Sequence, residues 1–335
     1  MLLVNTKTFL ILIVEGENMN KIKEMLKKIG LYNRLRWFKN RIRCELKRRL
    51  YDTDEKREKY IEREFKKYLG YEIDFSKQPE TFNQKIQFRK LYDNNPLYAI
   101  CSDKYRVREY VKSKVGEEYL IPLYLVTDKL TIEQWNKLPN SFVAKANHNS
   151  GPVQIVKDKT KVNAQEIIDE LNNQLTIDYG IMSMEKYYSD IPRKIIVEKF
   201  LDGLSKVPDD YKFHCFNHKN SSSKIVLEHI VDRKSDDLGY YRSVYYNENW
   251  EKLPFTIESI NYKEKYKKPK NFELMLKIVK KLAKDFDYAR VDLYNIKGQI
   301  YVGEITFCDG SGLAKFEPEE WDGILGSYWE QRNLK

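Results

Sequence analysis

Ala289-Arg290-Val291-Asp292-Leu293-Tyr294 and Val302-Gly303-Glu304-Ile305-Thr306-Phe307 decide how this chain is read. Each sets a carboxylate inside an apolar run of β-branched and aromatic residues, the pattern of a strand. Asn295-Ile296-Lys297-Gly298 between them is a turn signal, so the two runs are expected to pair as a hairpin. Alternation then puts Arg290 and Asp292 on one face, with Glu304 a rung or two from Asp292. Two carboxylates crowded in a half-buried sheet repel each other unless a cation separates them. Two readings satisfy this. Either Mg2+ is held by the acids together with substrate phosphates, or Arg290 forms a structural ion pair and no metal is needed.

At 335 residues the chain can bury one large core or two modest ones, so two or three subdomains are expected. Apolar residues make up 41%, an ordinary share for a folded protein. The cysteines Cys44, Cys101, Cys215 and Cys308 lie far apart and form no CxxC pair, which fits the reducing cytoplasm better than a disulfide framework. The net charge of +10 is concentrated. Between Asn20 and Leu50 twelve basic residues face only Glu24 and Glu45, so this segment alone carries +10. The remainder is balanced, which argues against a nucleic-acid groove in the body.

Leu2 to Val14 is apolar but interrupted, too short to span a bilayer and without the features of a secretory signal; Met1 and Met19 are both candidate starts. Leu35, Phe38, Ile42, Leu46 and Leu50 recur at helical spacing among arginines and lysines. Such a basic amphipathic helix either lies on an anionic membrane or acidic polymer, or packs its apolar stripe on the body. More helix is expected over Asp52 to Lys67, and again from Thr81, as cap, through Leu91. From Ser102 onward short β-branched runs alternate with helical stretches such as Asn163–Leu175 and Phe272–Phe286, an α+β pattern.

Four further segments could carry chemistry. Ser141-Phe142-Val143-Ala144-Lys145 is a strand ending in a lysine, followed by the polar loop Asn147-His148-Asn149-Ser150-Gly151. Lysine plus a loop with free N–H groups suits a phosphate, although a lysine pointing into water explains the pattern equally. Ile195-Ile196-Val197-Glu198-Lys199-Phe200-Leu201, closed by Asp202-Gly203, offers an apolar edge for a flat purine. Asp210 to Phe216 alternates, setting Lys212 and His214 opposite Tyr211 and Phe213. His214 and His218 have H-x3-H spacing without paired cysteines, so zinc is not expected. Cys308-Asp309-Gly310-Ser311-Gly312 is either a turn that lets a substrate carboxylate or phosphate approach the backbone or a plain connector.

Taken in order, the lysine strand, the Glu-Lys-x-Leu strand, the Asp-Tyr-Lys strand and the Arg-x-Asp and Glu-x-Thr hairpin resemble the ATP-grasp superfamily. Asp103-Lys104-Tyr105, Leu120-Ile121-Pro122-Leu123-Tyr124, Asp210-Tyr211-Lys212-Phe213, Arg290-Val291-Asp292-Leu293-Tyr294, the opening Pro79-Glu80-Thr81-Phe82-Asn83 and the closing Phe316-Glu317-Pro318-Glu319-Glu320-Trp321 resemble more narrowly its TupA-like branch. That branch takes its name from a protein of teichuronopeptide biosynthesis. The resemblance covers about Phe75 to Trp321.

It implies an α+β ATP-grasp fold, two lobes with antiparallel sheets enclosing ATP, over residues 76–335, preceded by a basic helical arm over 1–75. The lobes would divide at about residue 193, the first running over about 100–192 and the second over about 193–330. It further implies Lys104 and Lys145 on the ATP phosphates, and Glu198, Lys199, Phe200 and Leu201 along the adenine edge. Asp210 would reach the ribose or a metal, and Lys212 the γ-phosphate. Asp292 and Glu304 become Mg2+ ligands, Arg290 stabilises the transferring group, and Gly310, Ser311 and Gly312 form a substrate loop. Three departures stand out: Thr306 where Asn is common, Ser205 where a ribose-binding acid is common (Asp209 or Asp210 taking its place), and no Rossmann-like domain before the lobes.

The implied activity is an ATP-dependent carboxylate–amine or carboxylate–thiol ligase of cell-surface polysaccharide assembly. Its substrates would include a uronic acid or an amino acid, its cofactors are ATP and Mg2+, and no nucleic acid takes part. It would work in the cytoplasm, with residues 20–50 touching the inner membrane face. A glycosyltransferase and a non-catalytic nucleotide-binding module are the alternatives. The former commonly carries an Asp-x-Asp metal motif, a spacing that Asp209-Asp210 and Asp236-Asp237 lack.

Overall fold

The computed structural model describes residues 31–201, 209–218, 223–231, 242–257 and 266–332. The Leu2–Val14 stretch, Met1, Met19, the basic residues at 21–28, Asp202-Gly203, Ser205 and Asp236-Asp237 lie outside them.

Eleven strands form among the described residues: β1 Leu123–Thr127, β2 Phe142–Ala146, β3 Gln154–Val156, β4 Ile195–Lys199, β5 Asp210–Phe216, β6 Lys224–Val231, β7 Arg242–Asn247, β8 Thr256–Ile257, β9 Tyr288–Ile296, β10 Gln299–Thr306 and β11 Phe316–Glu317. They make a four-stranded sheet in the order β1-β4-β2-β3, a five-stranded sheet in the order β10-β9-β5-β6-β7, and the small pair β11-β8. All pairings are antiparallel, as expected for this fold class.

One face of the four-stranded sheet is apolar. Phe142, Ala144, Val156, Ile195 and Val197 pack with Ile168 and Leu171 of the Ala164–Gln174 helix and with Trp135. β4 therefore belongs to the four-stranded sheet, paired on both sides with β1 and β2. Strand pairing is non-local, so nothing in the run Ile195–Leu201 marks which sheet it joins.

The five-stranded sheet buries Tyr211, Phe213, Leu227, Val291 and Leu293 in the largest core, which also includes Phe272, Met275 and Val279 of the Phe272–Ala283 helix. The lower end of its other face is covered by the Phe82–Tyr92 helix, where Phe82 meets Phe216, Tyr288 and Trp329 edge-on or tilted. That helix starts where expected, with a capping box between Thr81 and Gln84. Arg89 pins it to the sheet. Its guanidinium is almost fully buried, donates to the carbonyls of Tyr288 (2.8 Å) and Phe307 (3.2 Å), pairs with Asp287 and Asp93, and stacks on Trp329.

A buried ion pair broken from one side leaves an uncompensated charge, which costs about 3–5 kcal/mol. Arg89→Met should therefore lower the unfolding free energy by roughly that amount in urea titration; a loss below about 1 kcal/mol would mean that the guanidinium does not hold the helix to the sheet.

Candidate active site

The Lys297-Gly298 turn has positive φ at both residues and closes β9 and β10 as the expected hairpin. Their pairing slips by one residue at Gly303: Val302 lies opposite Leu293, yet Glu304 lies opposite Asp292. In an unbroken register Glu304 would face Val291 and point into the core; the bulge turns its side chain to the face that carries Arg290 and Asp292. A Cβ at Gly303 would come within 3.0 Å of the Tyr294 ring and 3.4 Å of the Asp292 carbonyl, so the bulge leaves little room for a side chain.

The same face receives Lys212, whose partners across the sheet are Asp292 and Glu228, and His214, opposite Arg290. Lys212 Nζ lies 3.8 Å from Glu228 Oε2. Arg290 grips Asp292 with both arms of its fork, Nε to Oδ1 at 2.7 Å and Nη2 to Oδ2 at 2.8 Å. It also donates to Thr306 Oγ1 at 3.1 Å and pairs with Asp309. The expected ion pair with Arg290 thus exists, and Thr306 serves it.

The four-stranded sheet contributes its open face. Lys145 is no solvent-facing lysine: β2 lies inside the sheet, and Nζ sits 2.7 Å from Glu198 Oε2. Glu198 is buried and also meets Arg108 at 3.5 Å. Lys104 bridges the two sheets. Its Nζ donates to the Asn149 carbonyl at 2.6 Å and stands 3.8 Å from Glu304 Oε1. Within the Asn147–Asn149 loop, Asn147 N bonds to the Lys194 carbonyl, while the Asn147 and Asn149 carbonyls accept from Lys104 N and Nζ.

Several expected residues stand apart from this cluster. Lys199 is exposed, its N–H bonded to the Pro122 carbonyl, and Phe200 and Leu201 are half-buried. Asp210 is buried at the start of β5, opposite Tyr294. His214 faces the Tyr288 hydroxyl at 3.0 Å, while His218 lies 3.7 Å from Glu330, so the two histidines serve different partners. Within the glycine-rich turn the carbonyls of Ser311 and Gly312 are bound by Gln87, and Ser311 Oγ by Lys90. A Cβ at Gly312 (φ +68°) would collide with Gln87 and Ile86. Of this turn it is Asp309 that reaches the cluster. Asp309 and Glu228 carry no signal of their own in the sequence. Only the register Lys212–Glu228 could have flagged Glu228, and a register is not written in either strand alone.

The electrostatics divide the paired acids. Burial raises the carboxyl of Asp292 against the pull of Arg290 and Lys212. Burial also acts to raise Glu304, but Lys104, Arg290, Lys145 and Lys212 outweigh it and hold the group below its usual range. Asp309 is buried too, yet Arg290 and His214 bring it down to about 2. Glu304 is therefore an ionised carboxylate, 27% exposed, whose nearest cation among the described residues stands at 3.8 Å. Beside it Asp292 uses one lone pair on each oxygen for Arg290 and keeps others. Two adjacent hard oxygen donors with free lone pairs fit a Mg2+ ion that brings phosphate oxygens and water for its remaining positions.

Two facing antiparallel sheets with lysines on one and an acid–arginine hairpin on the other define an ATP-grasp class of protein. The chain belongs to the TupA-like ATPgrasp family, whose pattern matches residues 84–330. No curated protein matches the chain. Among solved structures it is similar to the D-alanine–D-alanine ligase of Helicobacter pylori, at 18% identity over 64% of this chain and 56% of that one, TM-score 0.34. The Bacillus anthracis D-alanine–D-alanine ligase matches at 20% over 68% and 64%, TM-score 0.35. The N5-carboxyaminoimidazole ribonucleotide synthetase of Thermus thermophilus matches at 10% over 68% and 52%, TM-score 0.39. The chain thus spans less than two thirds of the length of each.

Burial holds His148 and His214 neutral, each down to about 4 from an ordinary value near 6.5. The unfolded chain binds these protons first, so their contribution is intact above pH 6.5 and is lost as pH falls toward 4, by roughly 3 kcal/mol each. The urea midpoint should drop between pH 7 and pH 5, and His148→Gln should flatten that slope; an unchanged slope would mean that His148 is hydrated in the folded state.

Proposed function

We propose that the protein is an ATP-dependent ligase that joins a carboxylate to an amine or thiol through an acyl phosphate, in the assembly of a cell-surface polysaccharide of teichuronopeptide type, beside the inner membrane face. The observation that carries this reading is the convergence of Lys104 and Lys145 with Lys212, Arg290, Asp292 and Glu304 on one cleft. Family membership over residues 84–330 supports it.

In this reading Lys104 and Lys145 hold the ATP phosphates, and Glu198 to Leu201 line the adenine edge, with the apolar Val143 and Ile196 beside them on the sheet. Asp210 reaches the ribose. Asp292 and Glu304 would hold Mg2+, which when bound offsets phosphate charge and makes the γ-phosphorus more electrophilic. A carboxylate oxygen attacks that phosphorus, the bond to ADP breaks, and the acyl phosphate forms, with Lys212 and Arg290 balancing the charge that develops. An amine or thiol then attacks the acyl carbon and loses its proton, and phosphate departs with the bonding pair. Gly310 to Gly312 shape the acceptor side through Asp309, which fixes Arg290.

Of the alternatives, a glycosyltransferase gains little. Two Asp-x-Asp spacings do occur, Asp52-Thr53-Asp54 and Asp285-Phe286-Asp287, but both are spent on structure. Thr53 caps a helix, while Asp52 and Asp54 pair with Lys56 and Lys186. Asp285 pairs with Lys114, and Asp287 with Arg89. A degenerate module need not retain four cations and two adjacent acids in a half-buried cleft.

Titration calorimetry should detect ATP binding in the presence of Mg2+, weakened about tenfold or more by Lys145→Ala. Glu304→Gln should abolish ADP release in the presence of carboxylate and amine mixtures, by about 100-fold or more, with little change in thermal stability. Binding of UDP-sugars without ATP binding would overturn the ligase reading in favour of a transferase.

A further inference from the structure

The helix Leu31–Leu50 turns Trp37, Cys44 and Lys47, all three buried, toward the body. Arg36 pairs with Glu170, the Trp37 indole donates to the same carboxylate at 3.0 Å, and Lys47 Nζ donates to the Met182 carbonyl and the Tyr60 hydroxyl, each at 2.9 Å. Arg48 reaches Asp178 at 3.4 Å. Of the two alternatives for this helix, the one that packs the stripe on the body does not describe Phe38, Ile42, Leu46 and Leu50. Phe38, Ile42, Leu46 and Leu50, spaced four apart along one face, are 56%, 46%, 53% and 58% exposed. Around them Arg34, Lys39, Arg41, Arg43 and Arg49 are exposed as well. Eight basic residues against Glu45 alone give the helix a formal charge of +7.

We infer that this face docks on an anionic lipid bilayer, with the helix lying in the plane of the headgroups. Four large apolar side chains at helical spacing can enter the acyl boundary while the flanking arginines and Lys39 extend to lipid phosphates. Charge selects this occupant. A second copy would bring its own Arg34, Lys39, Arg41, Arg43 and Arg49 against those of the first, and a nucleic acid would answer the charge but leave Phe38, Ile42, Leu46 and Leu50 in water. An anionic membrane satisfies both halves of the face, since lipid phosphates attract the exposed basic residues while the acyl boundary takes the apolar side chains. The inference stands on the helix alone and is independent of the ligase reading.

The test is sedimentation of the full chain with vesicles of phosphatidylcholine containing phosphatidylglycerol, and with phosphatidylcholine alone. The wild type should pellet with the anionic vesicles and much less with the neutral ones. Phe38→Ser/Ile42→Ser/Leu46→Ser should lower the partition coefficient by about tenfold or more, and Arg41→Glu/Arg43→Glu should lower it too. Undiminished binding of the triple serine variant would overturn the docked apolar face. So would a wild type that ignores anionic vesicles. In that case a serine variant with a lowered unfolding temperature would assign the stripe to the preceding segment of this chain, and one that dissociates a dimer in analytical ultracentrifugation would assign it to a second copy. Calorimetric ATP binding by the same variants stays unchanged if the helix serves only as a tether, so failure here leaves the nucleotide site untouched.

Discussion

One extra residue in β10 governs the chemistry available to the cleft. The strand pair β9–β10 alternates strictly up to Val302, and strict alternation would send Glu304 into the apolar core against Val291. A carboxylate there would be both desolvated and unpaired, one of the costliest arrangements a core can contain. The bulge at Gly303 resets the phase so that Asp292 and Glu304 emerge side by side, among Arg290 of β9 and the lysines Lys104, Lys145 and Lys212 from elsewhere in the chain. The sheet bends locally and the acids gain partners, so a defect in the ladder becomes the condition for a charged site.

Those partners come from well-separated parts of the chain. Lys104 follows the short Leu97–Ser102 helix, Lys145 comes from the four-stranded sheet, and Lys212 and Arg290 from the five-stranded one. Against these four cations stand Glu198, Glu228, Asp292, Glu304 and Asp309, so the cluster is close to neutral by itself. A site so balanced has little surplus positive charge for a triphosphate. A divalent cation arriving with the nucleotide supplies that surplus, and the one carboxylate with spare exposure, Glu304, stands beside the acid that keeps free lone pairs.

Local pattern made the hairpin, its turn, the Thr81 cap and the alternation of Lys212 with Phe213 legible in the sequence, because each depends on residues within a few positions of one another. What escaped depends on pairing across distance. Nothing in Ile195–Leu201 tells that β4 completes the first sheet, and Glu228 sits in an apolar run whose partner, Lys212, is identified only by register. In the Cys308–Gly312 turn the glycines form the legible pattern, whereas the Asp309 carboxylate beside them is what reaches Arg290, 19 residues back in the chain.

The Leu31–Leu50 helix marks a second limit of pattern reading. Periodicity shows that a helix has an apolar face and a charged face, but not which one turns inward. Here Arg36, Trp37, Lys47 and Arg48 each find a carbonyl, hydroxyl or carboxylate on the body, Trp37 and Cys44 are buried beside them, and Phe38, Ile42, Leu46 and Leu50 are left exposed. Glu170 and Asp178, the acids it meets there, lie far along the chain, so the helix's own sequence does not name its partners. With that side turned inward the apolar stripe faces outward, and the exposed Arg34, Lys39, Arg41, Arg43 and Arg49 around it limit what can cover it.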